Sequence, residues 1–167
     1  IQGMRNPLVW LRRIRHRCGY GIHSPLVFGL VTQVVYNDGT YYAYQTLRRR
    51  HHLRFDRLKT ARLLFRLAND AAPDLIVVPP SLPEPERDYL HEGCRKAEIR
   101  PTGDDGMITL SRNGKPLLTI VLDLRRRQTL LETLKADPAV TVTFDLYTLA
   151  LAYHNLPTNR QHHIINF

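Results

Sequence analysis

One short segment near the middle of the chain limits what this protein can fold into. The run from Leu75 to Val78 is too short for a helix, is rich in β-branched residues and lies between prolines, which predicts a buried strand typical of a parallel sheet. The loop that follows, residues 79 to 83, contains three prolines. Because proline has no backbone N–H, this loop has few amide hydrogens to offer to a ligand.

The residues behind this loop predict a helix and a second strand. Ser81 and Glu84 have the spacing of a capping box, a pair of side chains that begins a helix. Apolar positions then recur at helical intervals, at Tyr89, Leu90, Cys94 and Ala97, and a short strand near Glu98 to Arg100 follows. Strand, loop, helix and strand together predict a βαβ unit.

The loop after the first strand decides what such a unit can bind. In βαβ units that bind nucleotides this loop is rich in glycine, so that backbone N–H groups can approach a phosphate or an adenosine group. This chain has no glycine between Leu75 and Gly93. The sequence therefore predicts the scaffold of a cofactor-binding fold whose cofactor loop is filled by proline rings.

Positive charge is concentrated in the first part of the chain. Residues 1 to 66 carry 13 Lys and Arg against 2 Asp and Glu, a net charge of +11, whereas residues 67 to 167 carry 11 against 13, a net charge of −2. This asymmetry predicts either an anionic partner, such as nucleic acid or a membrane surface, or a helical face that is solvated or docks on the rest of the protein. The candidate anion-binding residues are Arg48, Arg49, Arg50, Lys59, Arg62 and Arg66.

Three tyrosines, Tyr41, Tyr42 and Tyr44, precede the densest group of these cations. They predict either a surface on which bases stack while the arginines contact phosphates, or aromatic cover for the edge of the core. The sequence has no helix-turn-helix, zinc-finger or RNA-binding motif that would favour the first interpretation.

No pattern in the sequence predicts catalysis or a metal site. His23 precedes the helix start at Ser24-Pro25, where a histidine more often orients the helix than takes part in chemistry. The pairs His51-His52 and His162-His163 lack the i, i+4 spacing of helical zinc ligands. Cys94 lies on the inner side of its predicted helix and is expected to be packed. We therefore assign no catalytic residue and no metal ligand.

The remaining segments alternate between helical and strand patterns. Helices are predicted at Pro7 to Cys18, from Ser24 onward as a helix buried nearly all round, at Arg54 to Asn69 and at Arg125 to Ala136, while Tyr41 to Arg50 fits both a helix and irregular structure. Strands are predicted at Met107 to Arg112 and Lys115 to Asp123 around the hairpin signal Asn113-Gly114, at Val140 to Asp145, at Leu149 to His154 and at an edge from His162 to Phe167.

These elements predict an α/β protein with a reduced Rossmann-like sheet, an N-terminal helical segment and a C-terminal antiparallel hairpin. Residues 1 to 69 form the basic helical segment and residues 70 to 167 the α/β domain, within one compact unit. No apolar run has the length of a membrane span. The two distant cysteines, Cys18 and Cys94, predict reduced thiols in a cytoplasmic protein.

Both ends of the chain carry segments that are similar to those of a known family. Gly19 to Phe28, which reads GYGIHSPLVF, is similar to an HGIHSPF-like opening, and Leu63 to Leu67 to the helix before the first strand. Pro138 to Tyr147, Leu149 to Tyr153 and Gln161 to His163 are similar to the terminal strand pair and tail. The segments resemble those of class I S-adenosylmethionine-dependent methyltransferase-like proteins of a type common in Bacteroidetes.

This resemblance implies a methyltransferase-like sheet and a cofactor site, but the middle of the chain departs from the family pattern. Active members would have an acidic-Gly-x-Gly loop after the first strand and an acidic residue at the end of the second. Here these positions hold Val78 to Ser81 and Arg100-Pro101. The resemblance carries over Val78, Ser81 and Asp123 as vestigial cofactor-binding residues.

Three functional hypotheses follow. The first is a methyltransferase-like pseudoenzyme that has lost S-adenosylmethionine binding and catalysis, needs no cofactor and acts as a non-catalytic binding or scaffolding protein. The second is an active S-adenosylmethionine-dependent methyltransferase with an atypical cofactor loop, completed by a second copy in a homo-oligomer. The third is a basic module that binds nucleic acid or another anion.

Overall fold

The computed structural model describes residues 22–103 and 106–167, so the predicted helix at Pro7 to Cys18 and the first residues of the Gly19 to Phe28 motif lie outside the described residues. The helices are α1 (Pro25–Gly29), α2 (Tyr42–Arg50), α3 (Phe55–Ala71), α4 (Glu84–Gly93) and α5 (Gln128–Ala136). A π-helical segment, Leu30–Val35, continues α1, and a 3-10 turn, Leu124–Arg126, precedes α5. The strands are β1 (Leu75–Val78), β2 (Glu98–Pro101), β3 (Met107–Arg112), β4 (Lys115–Val121), β5 (Val140–Asp145), β6 (Ala150–His154) and β7 (Gln161–Ile164).

The strands form a seven-stranded mixed sheet in the order β2-β1-β3-β4-β6-β5-β7, which confirms the predicted α/β class. β1 and β2 pair in parallel and are connected through α4, so the predicted βαβ unit is present. β3 lies antiparallel to β1 on its other side. Among the described residues, no helix is both long and apolar enough to cross a membrane.

Contacts divide the chain into two compact units. Unit A comprises residues 37–120, and unit B comprises residues 1–36 and 121–167, of which 22–36 and 121–167 are described. The predicted boundary after residue 69 lies inside unit A, within α3, because this helix packs against α4 of the βαβ unit.

The packing of α3 on α4 in unit A depends on a glycine. A Cβ atom added at Gly93 would overlap the carbonyl oxygen of Phe65 and would lie 3.0 Å from the Cβ of Ala68. Both contacts are closer than ordinary van der Waals contact, so a side chain at this position would push the two helices apart. Gly93 therefore sets the distance between α3 and the end of α4.

The hairpin between β3 and β4 has the form that its sequence predicts. Asn113 and Gly114 have φ values of 52° and 72°, both positive as a type I′ turn requires. The hairpin is also tied to the end of α3, because the Arg112 guanidinium donates to the carbonyl oxygens of Ala71 and Ala72, at 3.0 and 2.8 Å for Ala72. A cation at the C-terminal end of a helix satisfies carbonyl groups that have no partner within the helix.

The first helix of unit B begins as predicted but is less buried than expected. Ser24 caps α1, since its Oγ accepts a hydrogen bond from the Val27 N–H at 3.5 Å, and Pro25 occupies the first position. Leu26 and Phe28 are 42% and 45% exposed, so the prediction of burial on all sides is wrong. The buried residues are on one side only: Val27, Val31, Val34 and Val35.

The C-terminal strands of unit B lie close to their predicted positions. β5 and β6 are antiparallel, and β7 pairs in parallel with β5. The chain leaving β6 passes β5 and adds β7 on its far side. The edge strand that the sequence predicts from His162 to Phe167 is therefore present as β7, in parallel with β5.

We expect Gly93→Ala to destabilise the protein by about 1 to 3 kcal/mol, the usual cost of inserting a methyl group into a packed contact. The measurement is urea unfolding of both proteins. Gly29→Ala is the matched control, because a Cβ at Gly29 would meet nothing within 4 Å. Equal free energies of unfolding for the two variants would contradict the assigned role of Gly93.

Candidate functional site

The loop after β1 is closed by its own backbone and side chains. The carbonyl oxygen of Val78 accepts a hydrogen bond from the Thr102 N–H at 2.9 Å, and the carbonyl oxygen of Pro79 accepts one from the Leu82 N–H at 3.0 Å. Val78, Pro79 and Leu82 are all buried. The apolar residues Val78, Pro79 and Leu82 at the end of β1 are therefore packed against other parts of the protein, while Pro80, Ser81 and Pro83 are exposed.

Ser81, a predicted helix cap and vestigial cofactor residue, does not cap α4. The helix begins at Glu84 with Pro83 in the capping position, which provides no side-chain hydrogen bond. Ser81 stands two residues before the capping position, and Glu84 is the first residue of the helix and not the third, as a capping box requires. The predicted capping box is therefore wrong, and Ser81 is exposed.

Asp123, the third vestigial cofactor residue, belongs to unit B, whereas Val78 and Ser81 belong to unit A. Its backbone is left-handed, with φ of 49°, and one carboxylate oxygen lies 3.6 Å from Nε of Arg126. Both side chains are more than half exposed, so this ion pair contributes little to stability.

The six candidate anion-binding cations have different environments in unit A. Arg48, Arg49 and Arg50 are exposed in the last turn of α2. Arg62 lies over the ring of Tyr44, with 4.9 Å between its Cζ atom and the ring centroid. The other two, Lys59 and Arg66, are on α3, and Arg66 is only 7% exposed.

Aromatic side chains of α2, α3 and α4 form one cluster, which we call the aromatic cluster: Tyr41, Tyr44, Phe65 and Tyr89. The ring of Tyr44 has centroid distances of 5.2, 5.0 and 6.2 Å to the other three rings. Tyr44 is 5% exposed, so its ring is not available to stack on a base. Tyr42, by contrast, is fully exposed. Tyr41 and Tyr44 therefore contribute to the core, the alternative that the sequence left open.

Arg66 and the aromatic cluster influence each other electrostatically. Burial raises the pKa of Tyr44, while a hydrogen bond from Arg66 and its positive charge act in the opposite direction. Because Arg66 is buried beside this hydroxyl, it is a structural residue of the cluster, and an external anion could not reach it without a rearrangement of the helices.

Helices α2, α3 and α4 pack together, and we call them the helical layer of unit A. Two carboxylates of α4 neutralise other cations of this layer. Glu86 is 7% exposed and accepts two hydrogen bonds from Arg57, with N to O distances of 2.9 and 2.8 Å. Asp88 accepts hydrogen bonds from Arg50 at 3.1 Å and from His51 at 2.8 Å. Burial by itself raises the pKa of Asp88, but these hydrogen bonds outweigh burial, and the pKa lies below its ordinary value.

Tyr89 has a hydroxyl group that lacks a hydrogen-bond partner among the described residues. The side chain is completely buried, and the Nε atom of Arg62 is also buried without an acceptor. Burial raises the pKa of Tyr89, while the positive charges of Arg62 and Arg48 act in the opposite direction. Sequence analysis missed Tyr89 as a polar residue, because its helical spacing indicates only a core position.

The histidine pairs have structural partners. His51 pairs with Asp88, while His162 lies 2.8 Å from the Thr143 hydroxyl and the ring of His163 stacks on Phe144. Within residues 22–103 and 106–167, no group of three or more His, Cys, Asp and Glu side chains could hold a metal ion.

His23 and Cys94 are the two remaining residues that the sequence singled out. His23 is exposed and stands just before the Ser24 cap of α1. Cys94 is partly buried, and its thiol donates to the carbonyl oxygen of Pro73 at 3.4 Å.

Comparison of the chain with models of protein families, with curated proteins and with solved structures finds no match. The resemblance to methyltransferase-like proteins therefore stays a prediction.

Replacing Arg57 by alanine should leave the buried Glu86 carboxylate without its cation and cost about 1 to 3 kcal/mol of stability. Chemical unfolding would measure this cost. Arg57→Ala combined with Glu86→Ala should recover part of it, because no charge is then buried alone. The control is Arg49→Ala on the exposed end of α2, and a loss as small as in this control would contradict the assigned role of the pair.

The stability of unit B should fall as the pH is lowered. Burial lowers the pKa of His154, His162 and His163 below the ordinary value of 6.5. At pH values just below 6.5 the unfolded chain therefore binds more protons than the folded one. The neutral histidines stabilise the fold above this pH. Lowering the pH removes that contribution.

Thermal unfolding between about pH 7.5 and about pH 5.5 would measure this dependence. His163→Gln should reduce the slope, whereas the same change at the exposed His52 should leave it as it is. An identical slope in both variants would count against the histidines of β7.

Proposed function

We propose that this protein is a non-catalytic member of the methyltransferase-like group, located in the cytoplasm, that acts by binding and has lost its S-adenosylmethionine site. The observation that carries the proposal is the loop after β1. Among residues 79 to 83 only Ser81 and Leu82 have a backbone N–H, and that of Leu82 is bonded to the carbonyl oxygen of Pro79. A loop of this kind cannot supply the several amide donors with which glycine-rich loops hold a nucleotide.

The end of β2 supports the same proposal. A nucleoside-binding unit of this type uses an acidic residue there to hold the ribose hydroxyls. In this protein the guanidinium of Arg100 occupies the end of β2 and bonds to both carboxylate oxygens of Glu98, at 2.6 and 2.8 Å. A cation that is already paired with its neighbour offers no acceptor for a hydroxyl group.

Calorimetric titration with S-adenosylmethionine and S-adenosylhomocysteine tests the proposal. We expect no binding tighter than about 1 mM, which corresponds to about −4 kcal/mol. Micromolar binding of either compound would support the rival hypothesis of an active enzyme with an atypical loop. The Asp123→Asn variant would then show whether Asp123 contributes to that binding.

A second candidate function is binding to nucleic acid through the exposed end of α2. Arg48 and Arg49 are exposed and have no carboxylate partner among the described residues, which favours contact with phosphate groups. Binding to mixed single-stranded RNA that weakens steeply with added salt, and that Arg48→Gln with Arg49→Gln abolishes, would support this function.

A further inference from the structure

Three buried side-chain atoms on α3 and α4 have no hydrogen-bond partner among the described residues: Arg62 Nε, Arg87 Nε and the Tyr89 hydroxyl. The guanidinium of Arg87 donates to the Leu82 carbonyl oxygen through Nη2, so Arg62 and Tyr89 are the two side chains that lack any such bond. The Tyr89 hydroxyl and the Arg62 Nε–H are both buried, and neither has a hydrogen-bond partner among the described residues. Buried polar groups in folded proteins are nearly always hydrogen-bonded, so two such groups on neighbouring helices require an explanation. Both can donate a hydrogen bond, and the Nε–H of arginine can only donate.

Positively charged side chains act on these two groups. The charges of Arg62 and Arg48 both act on the Tyr89 hydroxyl. The nearest carboxylates along α4 already have partners, because Glu86 is bonded to Arg57, and Asp88 to Arg50 and His51. Arg48 and Arg62 thus have no carboxylate partner within the described part of the chain. The hydrogen-bond acceptor that the Tyr89 hydroxyl and the Arg62 Nε–H lack must therefore come from outside the protein and should carry a negative charge.

We propose that Arg62 and Tyr89 form a binding site for a small phosphate-sized anion. A phosphate group has several acceptor oxygens, which can take hydrogen bonds from the tyrosine hydroxyl and from the Arg62 guanidinium at once. The ring of Tyr44 holds the Arg62 guanidinium on the helical layer, 4.9 Å away, so that the cation is positioned before the anion arrives.

Burial favours a free phosphate or a terminal phosphate over a nucleic-acid backbone. Tyr89 is 0% exposed, so an anion reaches its hydroxyl only when neighbouring side chains move. A small anion needs only this side-chain movement. A backbone phosphate carries a nucleotide on each side, and its approach would require α2 to separate from α4, with loss of the contacts of Tyr44 with Phe65 and Tyr89.

The site is independent of the loop after β1. Its residues lie on α3 and α4, so phosphate binding can be present or absent whether or not S-adenosylmethionine binds. Failure of the test below would leave the proposed loss of the cofactor site unchanged.

Calorimetry and thermal unfolding of the full chain with sodium phosphate test the proposal, with sodium chloride at equal ionic strength as the control for screening. We expect phosphate, and not chloride, to raise the melting temperature. Tyr89→Phe and Arg62→Gln should each lower the affinity for phosphate by about tenfold or more, the effect of losing one charge-assisted hydrogen bond. Lys96→Gln, which removes an equal charge from an exposed position of unit A that has no part in either proposed site, should keep the affinity within about twofold.

Tyr89→Phe is the decisive variant, because it removes one oxygen and keeps the ring in the aromatic cluster. Without phosphate we expect it to be as stable as the original protein or more stable, since an unsatisfied buried hydroxyl is lost. A phosphate effect no larger than that of chloride, or one that Tyr89→Phe keeps in full, would overturn the proposal. Single-stranded RNA that binds more tightly than phosphate and depends on Tyr89 in the same way would also overturn it, because the site would then accept a polymer.

Discussion

The close approach of α3 and α4 at Gly93 is the constraint on which the helical layer of unit A depends. Only a residue without a Cβ fits against the Phe65 carbonyl at this point. Tyr89 lies one helical turn before Gly93, and Arg62 lies one turn before Phe65, so the same contact that joins the helices also brings these two side chains towards each other. If α3 and α4 were farther apart, other hydrogen-bond acceptors could approach the Tyr89 hydroxyl, and the positive charge of Arg62 would be farther from it.

The charge asymmetry of the sequence has a structural outcome within this layer. Part of the positive charge is neutralised on α4, where Glu86 and Asp88 accept hydrogen bonds from Arg57, Arg50 and His51. These carboxylates stand near the start of α4, where the helix dipole also favours negative charge. Among the described residues, Arg48 and Arg62 have no carboxylate partner, and the charges of both act on one buried hydroxyl.

The proposed loss of the cofactor site concerns the loop of the βαβ unit and not its strands and helix. β1, α4 and β2 form a parallel strand–helix–strand unit, and the loop between β1 and α4 contains three prolines and the buried Leu82. Function depends on such sites rather than on the arrangement of strands and helices. For this reason the proposed functions rest on individual residues of the loop and of the helical layer.

Elements whose signals come from neighbouring residues could be predicted from the amino-acid sequence. The strand at Leu75, the type I′ turn at Asn113-Gly114 and the shortage of amide donors in the proline loop are properties of neighbouring residues, and the structure agrees with each of them. The cap predicted at Ser81 was wrong even though its signal is local, because the helix begins at Glu84 and Ser81 stands two residues before the capping position.

Contacts between distant segments determine which cations are available to a ligand. Arg48, Arg50, Arg62 and Arg66 look alike in the sequence, but Arg50 meets a carboxylate 38 residues away and Arg66 is buried beside Tyr44. The parallel pairing of β7 with β5 and the unsatisfied hydroxyl of Tyr89 were decided in the same way. Each depends on contacts between segments that are distant in the chain, and such contacts leave no periodic signal in the sequence.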